Sequence, residues 1–420
     1  MYLRGSKWNM NRRTHRSNPW RVLLLVALVV AAFYLTRYKL PEVAESFVPT
    51  PTPTTSAESF ANAADNLFRA GKLLPAIDAY QQAVHSDPKN KANFVSLAHV
   101  QIFAGQYKQA LENSESALVG NDDYSLAHAM RGWALNFLQQ YGDAALAEQK
   151  AISLDANNAL AHAFYAEVLV NRNDYGDLDK ASGESKLALD LGPNLLETLR
   201  ARGYVLYVTG NYPESLAKYQ AAIAVNKNIA DLYLYSGYNY VAMQNQSTDN
   251  TDLAIQSFLQ AKSLNPTDPI PDLELSRIYL QLGAYEKAIQ YADNAVKSDS
   301  QNPLRYGNLG MLYYKKGDME KAINSLSLAV RGGNNPDGVA VKGAPLDNDW
   351  MATYYWYYGF ALAKADRCQE AIPIFRALLT GVPDNQLAVD NANAGLDLCA
   401  SGPAAKTTSP PTAKVTPTKP

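Results

Sequence analysis

A chain of 420 residues, 47% of them apolar and with a formal net charge of −2, carries enough hydrophobic material to bury a large core, which argues against a disordered chain. The charge is uneven: every charged residue before position 40 is basic (Arg4, Lys7, Arg12, Arg13, Arg16, Arg21, Arg37, Lys39), so the remainder stands at about −10. An acidic body without clustered Lys and Arg gives phosphates nothing to exchange counterions with, and no nucleic-acid partner is expected.

Residues 1–20 read as a basic arm. It leads into "VLLLVALVVAAFYL", Val22 to Leu35, flanked by Trp20 and Tyr38. A helix from Trp20 to Tyr38 would run roughly 28 Å, enough to cross hydrocarbon if Arg21 and Arg37 snorkel, so a single transmembrane helix acting as a signal anchor is expected over residues 21–38. The excess of basic residues ahead of it keeps the N-terminus cytoplasmic under the positive-inside rule and places residues 39–420 outside the cytoplasm. A cleaved signal peptide is the alternative, since Val30 to Ala32 supplies the small residues a peptidase accepts. Either reading exports the rest of the chain, and no cysteine follows the apolar run to carry a lipid.

Residues 39–56, with "PEVAESFVPTPTPTTS", alternate Pro and Thr and read as an extended linker. Residues 402–420 have the same character and are expected to be a disordered tail. Between these ends small residues recur at a fixed interval. Ala76, Ala110 and Ala144 are 34 apart, as are Ala83, Ala117 and Ala151, and the period returns with Ala254, Ala288, Ala322 and Ala261, Ala295, Ala329. Seven residues separate the members of each pair, two turns of helix, so both face one side where a neighbouring helix approaches closely. Gly before the first alanine, and Pro or Asp after the second, as in "AGKLLPAIDAYQQAVHSDPKN", are the stop signals of two short helices per unit.

This pattern resembles the tetratricopeptide repeat, a 34-residue helix-turn-helix unit, over residues 57–401. The resemblance implies an all-α, right-handed superhelical solenoid of about nine units beginning at Ala57, Lys91, Ser125, Ala159, Leu196, Ala230, Pro269, Pro303 and Ala352, closed by a capping helix from Gln386. Extra residues in "NDYGDLDKA" and "QNQSTDNTDLA", and about fifteen in "DGVAVKGAPLDNDWM", fall at turns and become surface loops, the last a loop or short hairpin.

In this register Cys368 stands where the second helix of unit nine starts and Cys399 near the end of the capping helix. The family's geometry sets both on one edge of adjacent units, which implies a Cys368–Cys399 disulfide stapling the weakest end by roughly 3 to 4 kcal/mol in an oxidising compartment. Buried free thiols are the alternative.

No enzyme signature appears, neither a glycine-rich phosphate loop nor HExxH, GxSxG or CxxC, so neither catalysis nor a cofactor is expected. Among the histidines, His15, His85, His99, His128 and His162, the last two share a register position but supply no third metal ligand. Asn245 in "NQS" matches a glycosylation sequon.

The suggestive feature is aromatic, with 27 tyrosines and the run "TYYWYYGF" at 353–360. The resemblance puts positions 2, 5, 9 and 12 of each first helix on the concave face, here including Trp133, Tyr204, Tyr207, Tyr238, Tyr314, Trp356 and Phe360. Such rings hold a protein or peptide partner or pack between helices. The Lys and Asn pattern with which tetratricopeptide co-chaperones clamp a carboxylate is missing, since Ala61, Asp65, Ser96, Leu126 and Met130 stand there. The expected function is therefore a membrane-tethered, extracytoplasmic scaffold for protein interaction. The alternative is a cell-envelope glycan-binding module using Trp133, Trp356 and the groove tyrosines beside Glu167 and Asn136. A third reading is an enzyme with its pocket under the 337–351 insertion.

Overall fold

The computed structural model describes residues 18–35, 37, 56–120, 122–244 and 250–401. The expected tail, the linker apart from Ser56, the arm up to residue 17 and Asn245 lie outside these. Two compact units divide the chain, one ending at Ser56 and one beginning at Ala57.

In the first unit α1 runs Pro19–Tyr34, started by Pro at its first position and by the Asn18 side chain accepting from the Trp20 amide. Its sixteen residues give about 24 Å, short of the roughly 30 Å of hydrocarbon in a bilayer. No helix among the described residues is long and apolar enough to cross a membrane, and residues 36 and 38 of the expected span over 21–38 lie outside the described ones.

The second unit is a stack of helix pairs. The first helices are α2 (Ala57–Arg69), α4 (Lys91–Phe103), α6 (Ser125–Phe137), α8 (Ala159–Arg172), α10 (Leu196–Val208), α12 (Ala230–Ala242), α14 (Pro269–Gln281), α16 (Pro303–Lys316) and α18 (Asp349–Lys364). Their second helices are α3 (Leu73–Ser86), α5 (Tyr107–Leu118), α7 (Tyr141–Leu154), α9 (Asp177–Leu191), α11 (Tyr212–Val225), α13 (Asn250–Leu264), α15 (Tyr285–Ser298), α17 (Met319–Val330) and α19 (Cys368–Gly381), and α20 (Gln386–Ser401) closes the stack. Asn90, Asn158, Asp268 and Asn302 cap first helices by accepting from backbone amides two or three residues on.

Between the helices of a pair the chain passes through a left-handed residue, glycine in units one, two, five, seven and eight, and Gln139, Asn173 and Asp366 in units three, four and nine. All twelve period-setting alanines are buried. A third contact locks the pairs of units five, six and nine: Gly203, Gly237 and Gly359 on first helices leave room for the rings of Tyr219, Phe258 and Phe375 on second helices, where a Cβ would come within 3 Å of the ring.

The longest insertion is a hairpin, β1 (Gly333–Asn334) antiparallel to β2 (Ala340–Val341). Buried Asn335 pins it: its Oδ1 accepts from the Val339 amide (2.8 Å) and its Nδ2 donates to the Tyr306 hydroxyl (3.0 Å). At the far end α20 buries Ala388, Ala392, Gly395 and Cys399, with the Phe375 ring held between Gly359 and Gly395. The Cys368 and Cys399 sulfurs lie 2.11 Å apart, their Cα atoms 5.4 Å apart.

Candidate functional site

First helices pack on the first helices of neighbouring units from α4 through α10 and again from α16 through α20, whereas second helices meet their counterparts far less. The stack therefore curves toward its first helices, and their free sides form the inner face. In the N-terminal half the chain fills that face itself. Phe68 of unit one packs edge-on to His99 and beside Phe103, and belongs with Leu196, Leu199, Ile229 and Leu232 of units five and six. The Asn228 side chain donates to the Arg69 carbonyl (2.9 Å), and His99 Nε2 meets Glu197 Oε1 at 2.7 Å. Glu197 is deeply buried, which favours its neutral form, yet His99 outweighs burial and holds its pKa below the usual value.

Trp133 lies at the centre of this filling, 1% exposed. It stacks on Phe164 with ring centroids 4.2 Å apart, meets Phe103 edge-on at 5.3 Å, and donates Nε1–H to Glu167 Oε2 (3.1 Å). Arg200 covers the ring from above, donates to Glu167, and donates Nε–H to Asp231 (2.5 Å). Burial raises the Glu167 pKa against the pull of Arg200; the same burial works against the Arg200 charge, but Asp231 and Glu167 more than offset it. Glu167 and Asn136 are both buried, and Asn136 accepts from Asn171 (2.9 Å), so the glycan reading that set Trp133 beside Glu167 and Asn136 loses its contact surface.

The C-terminal half differs. Tyr204, Tyr207 and Tyr238 are half-buried and joined through Tyr235, with ring centroids 5.4 to 6.0 Å from it. Tyr204 donates its hydroxyl to Asn171 Oδ1 (2.6 Å), and burial pushes its pKa up to about 12. Among the described residues Tyr207 and Tyr238 make no hydroxyl hydrogen bond, and burial raises both of their pKa values. Beyond them Arg277 pairs with Glu274 (2.7 Å) and lies 5.0 Å from the ring of Trp350, which is 57% exposed. On α16 and α18, Tyr314 and Tyr357 meet edge-on at 5.1 Å and Phe360 packs on Phe375. Trp356 is 8% exposed and belongs to the core.

Comparison with known proteins bears on the repeat itself. The tetratricopeptide repeat family profile matches residues 247–303 and 273–338. Over residues 247–338 the chain matches the tetratricopeptide repeat. It is 26% identical over 230 residues to the TPR repeat-containing protein YpiA of Bacillus subtilis, covering 52% of this chain and 45% of that one. It is also 26% identical over 217 residues to Tetratricopeptide repeat protein 1 of Schizosaccharomyces pombe, covering 41% of this chain and 21% of that one. The chain thus spans less than half the length of either relative. In fold it is similar to the human IFIT1 dimer solved with PPP-AAAA, with a TM-score of 0.56 over 81% of this chain and 83% of that one, at 16% identity.

In tetratricopeptide register Trp133, Tyr204, Tyr238 and Phe360 share position 9, yet only the last three reach the surface. Trp350 lies in the first turn of α18, two residues before Ala352, where the register of unit nine begins, so the repeat register does not single it out. The signal that could have found it is Gly307, which faces Tyr354 so closely that a Cβ would lie 2.3 Å from the ring. That approach brings the start of α18 across α16 toward Arg277. The two histidines of shared register are occupied separately: His128 Nε2 contacts the Asp122 carbonyl (2.9 Å), and His162 contacts Glu184 and the Ala156 carbonyl. Among the described residues no group of three or more His, Cys, Asp and Glu is placed to hold a metal ion.

Proposed function

We propose that this chain is a scaffold that binds a protein partner along the inner face of units five to nine. Tetratricopeptide proteins mediate protein–protein interaction in general, and the observation that carries the finer reading is the contrast between the two halves. Trp133 and Phe164 of units three and four are buried beneath Arg200 of unit five, while Tyr207, Tyr238, Tyr314, Tyr357 and Trp350 keep exposed surface. Half-buried tyrosines offer contact area at low ordering cost, since their rotamers are already held by neighbouring rings.

The working place we propose is outside the reducing cytosol, tethered at a membrane. Supporting it are the Cys368–Cys399 approach and a helix α1 whose described side chains are nearly all apolar and all exposed. Photo-crosslinking residues introduced at Tyr314, Tyr357 and Trp133 in cells test the partner site. Crosslinks to one protein from the first two positions and none from Trp133 are expected; crosslinks from Trp133 alone would overturn the assignment. An impermeant maleimide applied to intact cells should label the cysteines only after reduction, and labelling that needs cell breakage and no reductant would refute the location.

A further inference from the structure

The solenoid is acidic overall, yet two lysines on its inner face stand without counter-charge. Lys315 near the end of α16 and Lys364 at the end of α18 are exposed, and neither has an acidic partner among the described residues. Each lies instead over a tyrosine of the other's helix: Lys364 Nζ is 4.4 Å from the centroid of Tyr314 and Lys315 Nζ is 5.5 Å from that of Tyr357. The two tyrosines touch edge-on, so the four side chains form a crossed pair.

Lys315 also borders a recess of about 390 Å³ shared with Tyr285, Lys287 and Lys316, whose acidic member, Glu286, pairs with Lys316 at 2.7 Å. Placing ammonium groups on adjacent helices costs repulsion that ring faces offset only in part. An incoming carboxylate would offset the rest. The tyrosine rings between the lysines leave an apolar step at the same spot, and this mixture of spaced cations and rings suits a chain bearing both acidic and apolar side chains.

We propose that units eight and nine take an acidic peptide segment of the partner, its carboxylates at Lys315 and Lys364 and an apolar side chain against Tyr314 and Tyr357. This rests on the protein-partner reading above and adds the partner's chemistry. The test is fluorescence anisotropy of the full chain with a labelled peptide of about twelve residues alternating Glu and Phe, against the same peptide with Gln for Glu. The acidic peptide should bind at least about tenfold tighter and weaken as salt is raised.

Lys315→Glu with Lys364→Glu should abolish that preference, Lys315→Gln with Lys364→Gln should reduce it, and Lys186→Glu, an exposed site on α9, should leave it intact; circular dichroism checks that each variant folds. Equal affinity for both peptides, no binding of either, or an unchanged preference in the double variants would overturn the inference, whereas the crosslinks at Tyr314 and Tyr357 would still stand for a partner of other chemistry. Full displacement by millimolar inorganic phosphate would assign the site to a free anion and overturn it too.

Discussion

The side-chain amide of Asn228 donates to the main-chain carbonyl of Arg69, 159 positions earlier, and brings the turn between the fifth and sixth repeats onto the first. Gly71 stands beside this contact with a φ of +74°, and a Cβ there would fall 2.5 Å from the Asn228 Cβ. Gly105 has the same φ and nothing within 4 Å. Gly105→Ala should therefore cost only the left-handed strain, about 1 kcal/mol, while Gly71→Ala should cost about 2 to 3 kcal/mol. Denaturant titration measures the difference, and hydrogen exchange should locate it in unit one and at the junction of units five and six.

Arg200 holds Glu167 and Asp231 together beneath Trp133. Arg200→Met leaves a buried carboxylate without its cation and should destabilise by about 3 to 5 kcal/mol. Adding Glu167→Gln should recover part of that loss. If the double variant were as unstable as the sum of the singles, the two groups would not be coupled.

Glu148 occupies the place against Gly132 that Leu326 takes against Gly310, and neither of its carboxylate oxygens has a hydrogen-bond partner. Burial, with Glu167 nearby, raises its pKa well above the usual value. The folded state thus binds a proton that the unfolded chain releases above about pH 4.5, and stability falls as pH rises from there toward the folded pKa. Glu148→Leu should remove this slope and stabilise the protein by about 1 to 3 kcal/mol at neutral pH, read from urea midpoints across pH.

His162 has the opposite chemistry but the same sign. Both ring nitrogens face acceptors, Glu184 at 2.6 Å and the Ala156 carbonyl at 3.1 Å, and the Glu184 hydrogen bond raises its pKa against the effect of burial. The stability it contributes is complete below about pH 6.5 and is lost as pH climbs through the raised value. His162→Gln should flatten the stability profile over that window. A variant with the original profile would show that another group titrates there.

Cys368→Ser with Cys399→Ser frees α20 from α19. The expected loss is about 3 to 4 kcal/mol if unfolding is global. Hydrogen exchange should quicken first over Gln386–Ser401, because among the described residues that helix has a neighbour on one side only.

The repeat was legible because it is local chemistry. Small residues such as Ala76 and Ala83 at two-turn spacing, left-handed turn residues and asparagine caps act within one or two units, so the chain itself declares the period, the helix ends and the sites of insertion. The apolar run at Val22 to Leu35 was equally visible, and it forms the α-helix Pro19–Tyr34. Register could not tell Trp133 from Tyr238: both hold position 9, yet one is sealed under Arg200 and the other is only half-buried. What separates them is the curvature of the stack, which accumulates from small rotations between successive units until Phe68 meets Leu232 and His99 meets Glu197. Sequence determined the unit and its repetition, because those depend on neighbours along the chain; only the tertiary structure decided which inner surface closes on itself and which stays open, because that depends on residues two or more repeats apart.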